Sequence, residues 1–513
     1  MHRARDPRII DHVERPIILN TLGPLRRSRP VGGSFALVAI GLGYVSLALA
    51  IISTVLVFIT PLTLALAALA VIGLSFDRRF GPLPAALLVI LVLPYDRAAN
   101  GFIPRISDIP VRPQDVALGL GLLLSLPSLR RLPPRRPITI ALAAFLAVGV
   151  LGFIVGLVAD NAVRDILRDT RWWALYGVGL VALATGTPRA SLLRALLLGT
   201  TLFAVLVVIT AILPIFADGL KLRALEFDRG LLRMQFGNST MLLAPLAFAT
   251  MAVTRAPSRR SVAWLVLITT AVVLTLTRTF ILVSAIVVGI AVVLSLIDRA
   301  PSVSRWRAAV PAAAAGTGLV LGVGLATFAL AVTGFILPLD RLFGGSAGPS
   351  VPVNGEEPLE RLLLQGSESG LDSLGGGRFV TYGRAIDVLR AHPVIGSGLG
   401  ALVVAEYSFG GEAFDTPGKL PNVDNAWLTI GMKAGMLGVL AFGALVLAAL
   451  LEAVRSPKRM RRWLLPFWLG VIALTMTQSF ATTGYGPAVL GLVAVLPILR
   501  YTPRSTSRAL DQR

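Results

Sequence analysis

A small number of polar side chains stand where their surroundings are otherwise apolar, and these set the chemistry open to the chain. Arg278 lies in the short turn Thr275-Leu276-Thr277-Arg278-Thr279 between two strongly apolar runs, which pins its charge at a membrane boundary. An arginine there either snorkels and ends a helix or holds an oxyanion, because a guanidinium stays charged and offers planar, bidentate donors. Arg378 and Arg384 share a stretch in which Phe379, Tyr382, Ile386 and Leu389 recur at helical spacing. With Asp387 three residues after Arg384, an exposed ion pair worth ~0.2–0.5 kcal/mol is the plainer reading of that face. Arg164, Arg168 and Arg171 precede Trp172-Trp173, a basic stripe beside an aromatic pair of the kind that anchors at a membrane interface.

Two groups are placed to take a proton. Asp424 immediately precedes a late apolar run. A carboxylate near pKa 4 is a weak base, and burial beside a membrane raises it; the alternative role is to cap the following helix. His392 is one of only three histidines, and its neighbour Pro393 ends the helix before it. Gly396, Gly398 and Gly400 then form a tight turn. Lys433 sits within an apolar run, where a cation costs about 2.5–3.5 kcal/mol on insertion scales. It therefore needs a buried partner or a phosphate within reach. No Asp-x-Asp or Glu/His cluster of metal-ligating spacing stands on the same side, and neither a metal nor a cofactor is expected.

The elements that must position these groups are membrane helices. The chain has 513 residues, of which 55% are hydrophobic and 15% charged, with a mean hydropathy of +0.78. A soluble chain carries roughly a quarter charged residues. Apolar runs of spanning length recur from Ser34 to Leu499, and lipid leaves only helices or a closed barrel to satisfy the backbone. The alternating ~10-residue segments of a barrel are absent. The expectation is an all-α polytopic membrane protein of about 14 transmembrane helices, 12–14 in range, at residues 34–53, 54–76, 82–94, 114–126, 138–159, 172–186, 192–213, 241–254, 261–277, 279–297, 308–337, 425–452, 464–482 and 487–499. Cysteine is absent, which excludes disulfides and thiolate metal sites.

Charge sets the expected topology. With the N-terminus in the cytoplasm, the inner segments hold 30 basic and 7 acidic residues, counting Arg194 and Glu452 at span ends, and the outer ones 17 basic and 20 acidic. This is the positive-inside pattern. It accounts for the formal charge of +21 without nucleic acid, through attraction to anionic headgroups. Residues 1–33 read as a basic cytoplasmic tail, 34–337 as the first part of the bundle, 338–424 as one large extracytoplasmic loop, 425–499 as the last part of the bundle and 500–513 as a second cytoplasmic tail. The protein is thus expected in the cytoplasmic (plasma) membrane, with both termini in the cytoplasm. Within the loop, Gly344–Ser350 and Ser367–Gly377 are rich in Gly and Ser, and Glu356–Gln365 fits a short amphipathic helix.

Gly377-Arg378-Phe379, followed by His392-Pro393-Val394-Ile395-Gly396-Ser397-Gly398-Leu399-Gly400, resembles the large outer loop of the O-antigen ligase and O-unit polymerase superfamily. Asp424-Asn425-Ala426-Trp427-Leu428 with Gly435-Met436-Leu437-Gly438 is similar to that family's His-Asn-x-Tyr-Leu run and its Gly-x-x-Gly. Thr275–Thr279 resembles the Ser-Arg hairpin, and Phe236-Gly237-Asn238-Ser239 the entry to another span. The likeness covers roughly residues 160–490, in order.

The resemblance implies a GT-C-like bundle and a membrane glycosyltransferase. Such an enzyme takes a polyprenyl-diphosphate-linked saccharide as donor and a glycan or lipid as acceptor, outside the membrane and beside other polysaccharide-assembly proteins. It implies Arg278, Arg378 and Arg384 as diphosphate-binding, Asp424 or His392 as the base, and Asn425, Arg171 and Lys433 as accessory. Ligases carry a histidine where this chain has Asp424, and related cell-wall polymerases carry an aspartate before a late span. The competing class is a lipid-linked oligosaccharide flippase or other transporter. Transporters commonly show internal repeats, which are not evident here; a membrane scaffold would leave the outer arginines without a role.

Overall fold

The computed structural model describes residues 34–55, 61–93, 105–106, 109–129, 135–216, 226–228, 231–233, 239–275, 278–297, 305–332, 381–407 and 413–499. The basic tails, the first part of the long loop with Arg378, and Phe236-Gly237-Asn238 lie outside these residues.

The first half of the bundle comprises α1 (Ser34–Val55), α2 (Pro61–Ser75), α3 (Pro82–Val92), α4 (Pro113–Ser125), α5 (Pro137–Val158), α6 (Val163–Leu175), α7 (Val178–Ala184) and α8 (Arg189–Phe216). The second half comprises α9 (Leu243–Arg255), α10 (Arg259–Leu274), α11 (Arg278–Ile297), α12 (Arg305–Val332), α13 (381–391), α14 (Ala426–Arg455), α15 (Lys458–Thr475) and α16 (Gly486–Val495). Proline at the first turn starts α3, α4 and α5, where its missing N–H costs nothing. Among the described residues, six helices are long and apolar enough to cross a membrane: α1, α5, α8, α11, α12 and α14. Shorter apolar helices include α2, α3, α9 and α16. The protein is therefore a multi-pass helical membrane protein.

Helix pairs pack in neighbouring sets, α1 on α2, α3 between α4 and α8, α5 on α14, α10 on α12, and α11 between α9 and α15. Small residues permit the closest crossings. A Cβ on Gly73 would sit 2.4 Å from the Ala39 carbonyl oxygen on α1. Leu37, Val45, Leu282 and Val320 stay exposed on α1, α11 and α12, as lipid-facing positions do. Residues that charge assigns to one side meet each other. Tyr485 bonds Asp115 and Asn161 bonds Ser397 at one end of the bundle, while Arg194 bonds the Arg79 carbonyl at the other.

The fold differs from the sequence expectation at several points. The segment 172–186, expected as one span, is split at Tyr176-Gly177 into α6 and α7, and α6 begins at Val163. Trp172 and Trp173, expected at the interface, are buried in protein. Trp173 stacks on Phe145 at 4.6 Å and its indole N–H donates to the Phe145 carbonyl at 2.6 Å. Among the described residues, three antiparallel hairpins decorate the helical bundle: β1 (Arg105–Ile106) with β2 (Ile109–Pro110), β3 (Glu226–Asp228) with β4 (Leu231–Arg233), and β5 (Val403–Tyr407) with β6 (Ala413–Leu420). The last joins α13 to α14, with Val403 opposite Leu420. Its first strand opens on Val403-Val404, whose branched side chains favour a pleated surface.

Candidate active site

The chain re-enters the bundle at Asp424. The first residue of the turn into α14 is fixed by Asn425, whose extended backbone places its Oδ1 to accept from the Leu428 N–H at 3.0 Å. Its Nδ2 donates to the Met476 carbonyl at 2.9 Å at the end of α15. The capping role open to Asp424 in the sequence thus belongs to Asn425. Asp424 is half-buried, and its backbone carbonyl accepts from the Tyr382 hydroxyl on α13 at 2.8 Å. Val423 on its other side is closed onto Thr429 Oγ1 at 3.1 Å. Both neighbours hold the backbone of Asp424, so its position is set without spending its carboxylate on a cap.

The glycine turn after α13 is built into the bundle. Gly396, Gly398 and Gly400 all have φ between 71° and 87°, a region open to glycine at little cost. The Ser397 N–H donates to the Met432 carbonyl at 2.9 Å, and the Leu399 N–H to Gly152 on α5 at 2.8 Å. Asn161 Nδ2 donates to the carbonyls of Ser397 and Leu399, at 3.0 and 2.9 Å. In return α14 is interrupted at Gly435, where φ is 63° and ψ −163°. The freed N–H groups of Met436 and Leu437 donate to the carbonyls of Pro393 and Val394, at 2.8 and 3.1 Å. Non-helical backbone at membrane depth survives only when protein satisfies it, and here the turn and the broken helix satisfy each other.

Beneath this turn lies the buried partner that Lys433 requires. Its ammonium is fully buried and paired with Asp169 Oδ2 on α6, which also accepts the Gly400 N–H at 2.8 Å. Arg168, beside it, pairs with Asp165 at 2.7 Å. Arg171 is engaged elsewhere, in a cluster with Asp115 at 2.5 Å and the Tyr485 hydroxyl at 2.6 Å. That hydroxyl donates to Asp115 at 2.8 Å. Burial pushes the Tyr485 phenol well above its ordinary pKa, against the opposing pull of Arg171. Arg171 thus ties α6 to α4 and to the residue that precedes α16.

The predicted residues fall into groups. Arg278 is the first residue of α11. Arg384 is exposed on α13, two residues after Tyr382, and His392 is exposed just after the helix, ten residues after Tyr382. Asp387 lies 3.6 Å from Arg390, so the ion pair expected of this face includes Arg390. Lys433 and Arg171 occupy two separate networks, the first fully buried and the second half-buried. Among the described residues no three of His, Asp and Glu gather as a metal site. Sequence reasoning missed Asp169, Asn161 and Tyr382. Asp169 carried a signal, since it falls on the same helical face as Ile166, Trp172 and Trp173, where an acid needs a cation.

Residues 263–443 match the family model described as O-Antigen ligase. This stretch is an O-antigen ligase domain. The domain opens within α10, takes in Arg278, α13, the glycine turn and Asp424-Asn425, and closes in α14 beyond Gly435. The O-antigen ligase family acts in cell-surface polysaccharide assembly, as membrane ligases of glycosyltransferase type on lipid-linked saccharides and glycan acceptors. No curated protein matches the chain. Asn161, Asp169, Arg171 and Asp115 lie before the O-antigen ligase domain and Tyr485 after it. Of these, Asn161 and Asp169 bond the domain's glycine turn.

Proposed function

We propose that the protein is a metal-independent glycosyltransferase that polymerises or ligates polyprenyl-diphosphate-linked saccharides on the outer side of the cytoplasmic membrane. The O-antigen ligase match over residues 263–443, which includes Arg278, Asp424 and the glycine turn, carries this reading. In the reaction the bond between the donor's anomeric carbon and the diphosphate oxygen breaks. A new glycosidic bond forms to an acceptor hydroxyl, whose proton passes to Asp424, with His392 as the other group of suitable chemistry. Polyprenyl diphosphate leaves with its charge held by Arg278 and Arg378, aided by Arg384. A guanidinium suits this leaving group because its planar fork matches two oxygens at once.

The buried Lys433–Asp169 pair supports the division of labour. Lys433 is spent on Asp169, which leaves the diphosphate to the outer arginines. Purified protein given a polyprenyl-diphosphate saccharide and an acceptor is expected to release polyprenyl diphosphate in equal number with new glycosidic bonds. Release without bond formation to the acceptor contradicts the reading.

A further inference from the structure

One carboxylate, Asp169, binds both a charge on α14 and a backbone N–H of the glycine turn, and neither the catalytic proposal nor the family match gives it a task. It lies on α6, outside the O-antigen ligase domain. Its Oδ2 holds Lys433 and the Gly400 N–H, and Lys433 and Asp169 are both fully buried. The turn that ends at Gly400 begins right after His392, and the hairpin β5–β6 leads from it to Asp424. The same turn fills the break in α14 at Gly435, where a Cβ would lie 2.3 Å from the Val394 carbonyl oxygen. The turn also abuts α5, where a Cβ at Gly156 would lie 2.3 Å from the Leu399 carbonyl oxygen. Each end of the turn therefore leads directly to a group proposed for the acceptor site.

We propose that Asp169 is a positioning residue, whose carboxylate latches the glycine turn 393–400 into the bundle by holding Lys433 and the Gly400 amide together, and so fixes the two arms that carry His392 and Asp424. A buried pair of this kind contributes little net stability against an apolar replacement, whereas losing one partner strands a charge. Stability and position can accordingly be separated by substitution. Asp169→Asn with Lys433→Met removes both charges but keeps an acceptor for the Gly400 N–H. Asp169→Ala with Lys433→Met removes both charges and the acceptor.

Position is read without reference to activity. The chain has no cysteine, and the Leu399 N–H donates to Gly152 at 2.8 Å, with Leu399 Cγ 3.4 Å from where a Gly152 Cβ would lie. Gly152→Cys with Leu399→Cys then reports the seated turn by disulfide formation. In the full-length protein in membranes, the Asn/Met background is expected to cross-link at the rate of the parent. The Ala/Met background is expected to cross-link several-fold more slowly at equal expression. Without the reporter cysteines, the Ala/Met chain is expected to lose turnover by about tenfold to a hundredfold, with KM changed far less, the scale on which small misplacements act.

Equal cross-linking and equal turnover in the Ala/Met and parent chains would overturn the proposal. Should the double variants fail to accumulate, Asp169→Glu keeps the charge and displaces the carboxylate by one methylene, and unchanged cross-linking and turnover in that variant overturn it equally. The effect on turnover rests on the transferase reading, and the seating of the turn does not. A chain that forms no glycosidic bond, yet cross-links in a manner dependent on residue 169, supports the latch and removes the transferase reading alone.

Discussion

At the residue scale, the proposed chemistry rests on an arginine at the start of α11 and an aspartate just before α14. Arg278→Lys keeps the charge at the start of α11 and loses the bidentate fork, so it is expected to lose most transfer activity, as is Arg278→Ala. Near-normal activity of Arg278→Ala at equal expression, in a product assay, would move diphosphate binding elsewhere. For Asp424, the position of the cap sharpens the test. Asn425 makes the helix-capping bond, so Asp424→Asn and Asp424→Ala are both expected to fold, and both to lose roughly 10²–10⁴-fold in rate, the scale of general-base removal. Asp424→His, which restores the ligase-type residue, is expected to retain part of the activity. A fully active Asn variant shifts the base to His392. Asn425→Ala, by contrast, is expected to lower stability by ~0.5–2 kcal/mol.

At the scale of elements, the break in α14 is the feature that organises the site. Gly435 combines φ 63° with ψ −163°, a region essentially closed to residues with a Cβ, at ~1–3 kcal/mol each. Gly435→Ala is therefore expected to destabilise the protein by at least that amount and to slow transfer, because the added methyl meets the Val394 backbone. Thermal unfolding in detergent checks the first effect, and an unchanged midpoint contradicts it. The sequence reads 425–452 as one uninterrupted span because glycine is common in membrane helices, and nothing local marks Gly435 as a break. The break is imposed by a turn inserted from elsewhere in the chain. The turn itself was legible in Gly396, Gly398 and Gly400, whose spacing leaves few other conformations. Lys433 announced that a partner existed, but Asp169 is 264 positions away, and only packing brings the two together. The hairpin β5–β6 and the split between α6 and α7 were likewise hidden, the one inside a loop and the other inside an apolar run.

At the scale of the whole molecule, the class of fold was written in composition, because a bilayer admits few alternatives for apolar runs of this length. The segments with alternating side assignments pack with their like-assigned ends together, which the charge pattern requires. Which end faces out is a proposal with a direct check in a cysteine-free chain. A single cysteine at Ser367 is expected to react with an impermeant reagent from the outer side, and single cysteines in the terminal tails only from the inner side; the reverse pattern overturns the topology. The division between bundle and family domain also belongs to this scale. The O-antigen ligase domain holds the reactive candidates, and α6 before it holds Asp169, the counter-charge of Lys433. The central claim is that the chain makes glycosidic bonds and does not merely carry lipid-linked saccharides across the bilayer. It is tested most directly by incubating the purified protein in detergent, where no compartments exist, with a polyprenyl-diphosphate saccharide and an acceptor. A longer or acceptor-linked glycan that depends on Arg278 is the predicted result. No product in detergent, together with saccharide translocation in sealed proteoliposomes, would contradict the account and identify a transporter.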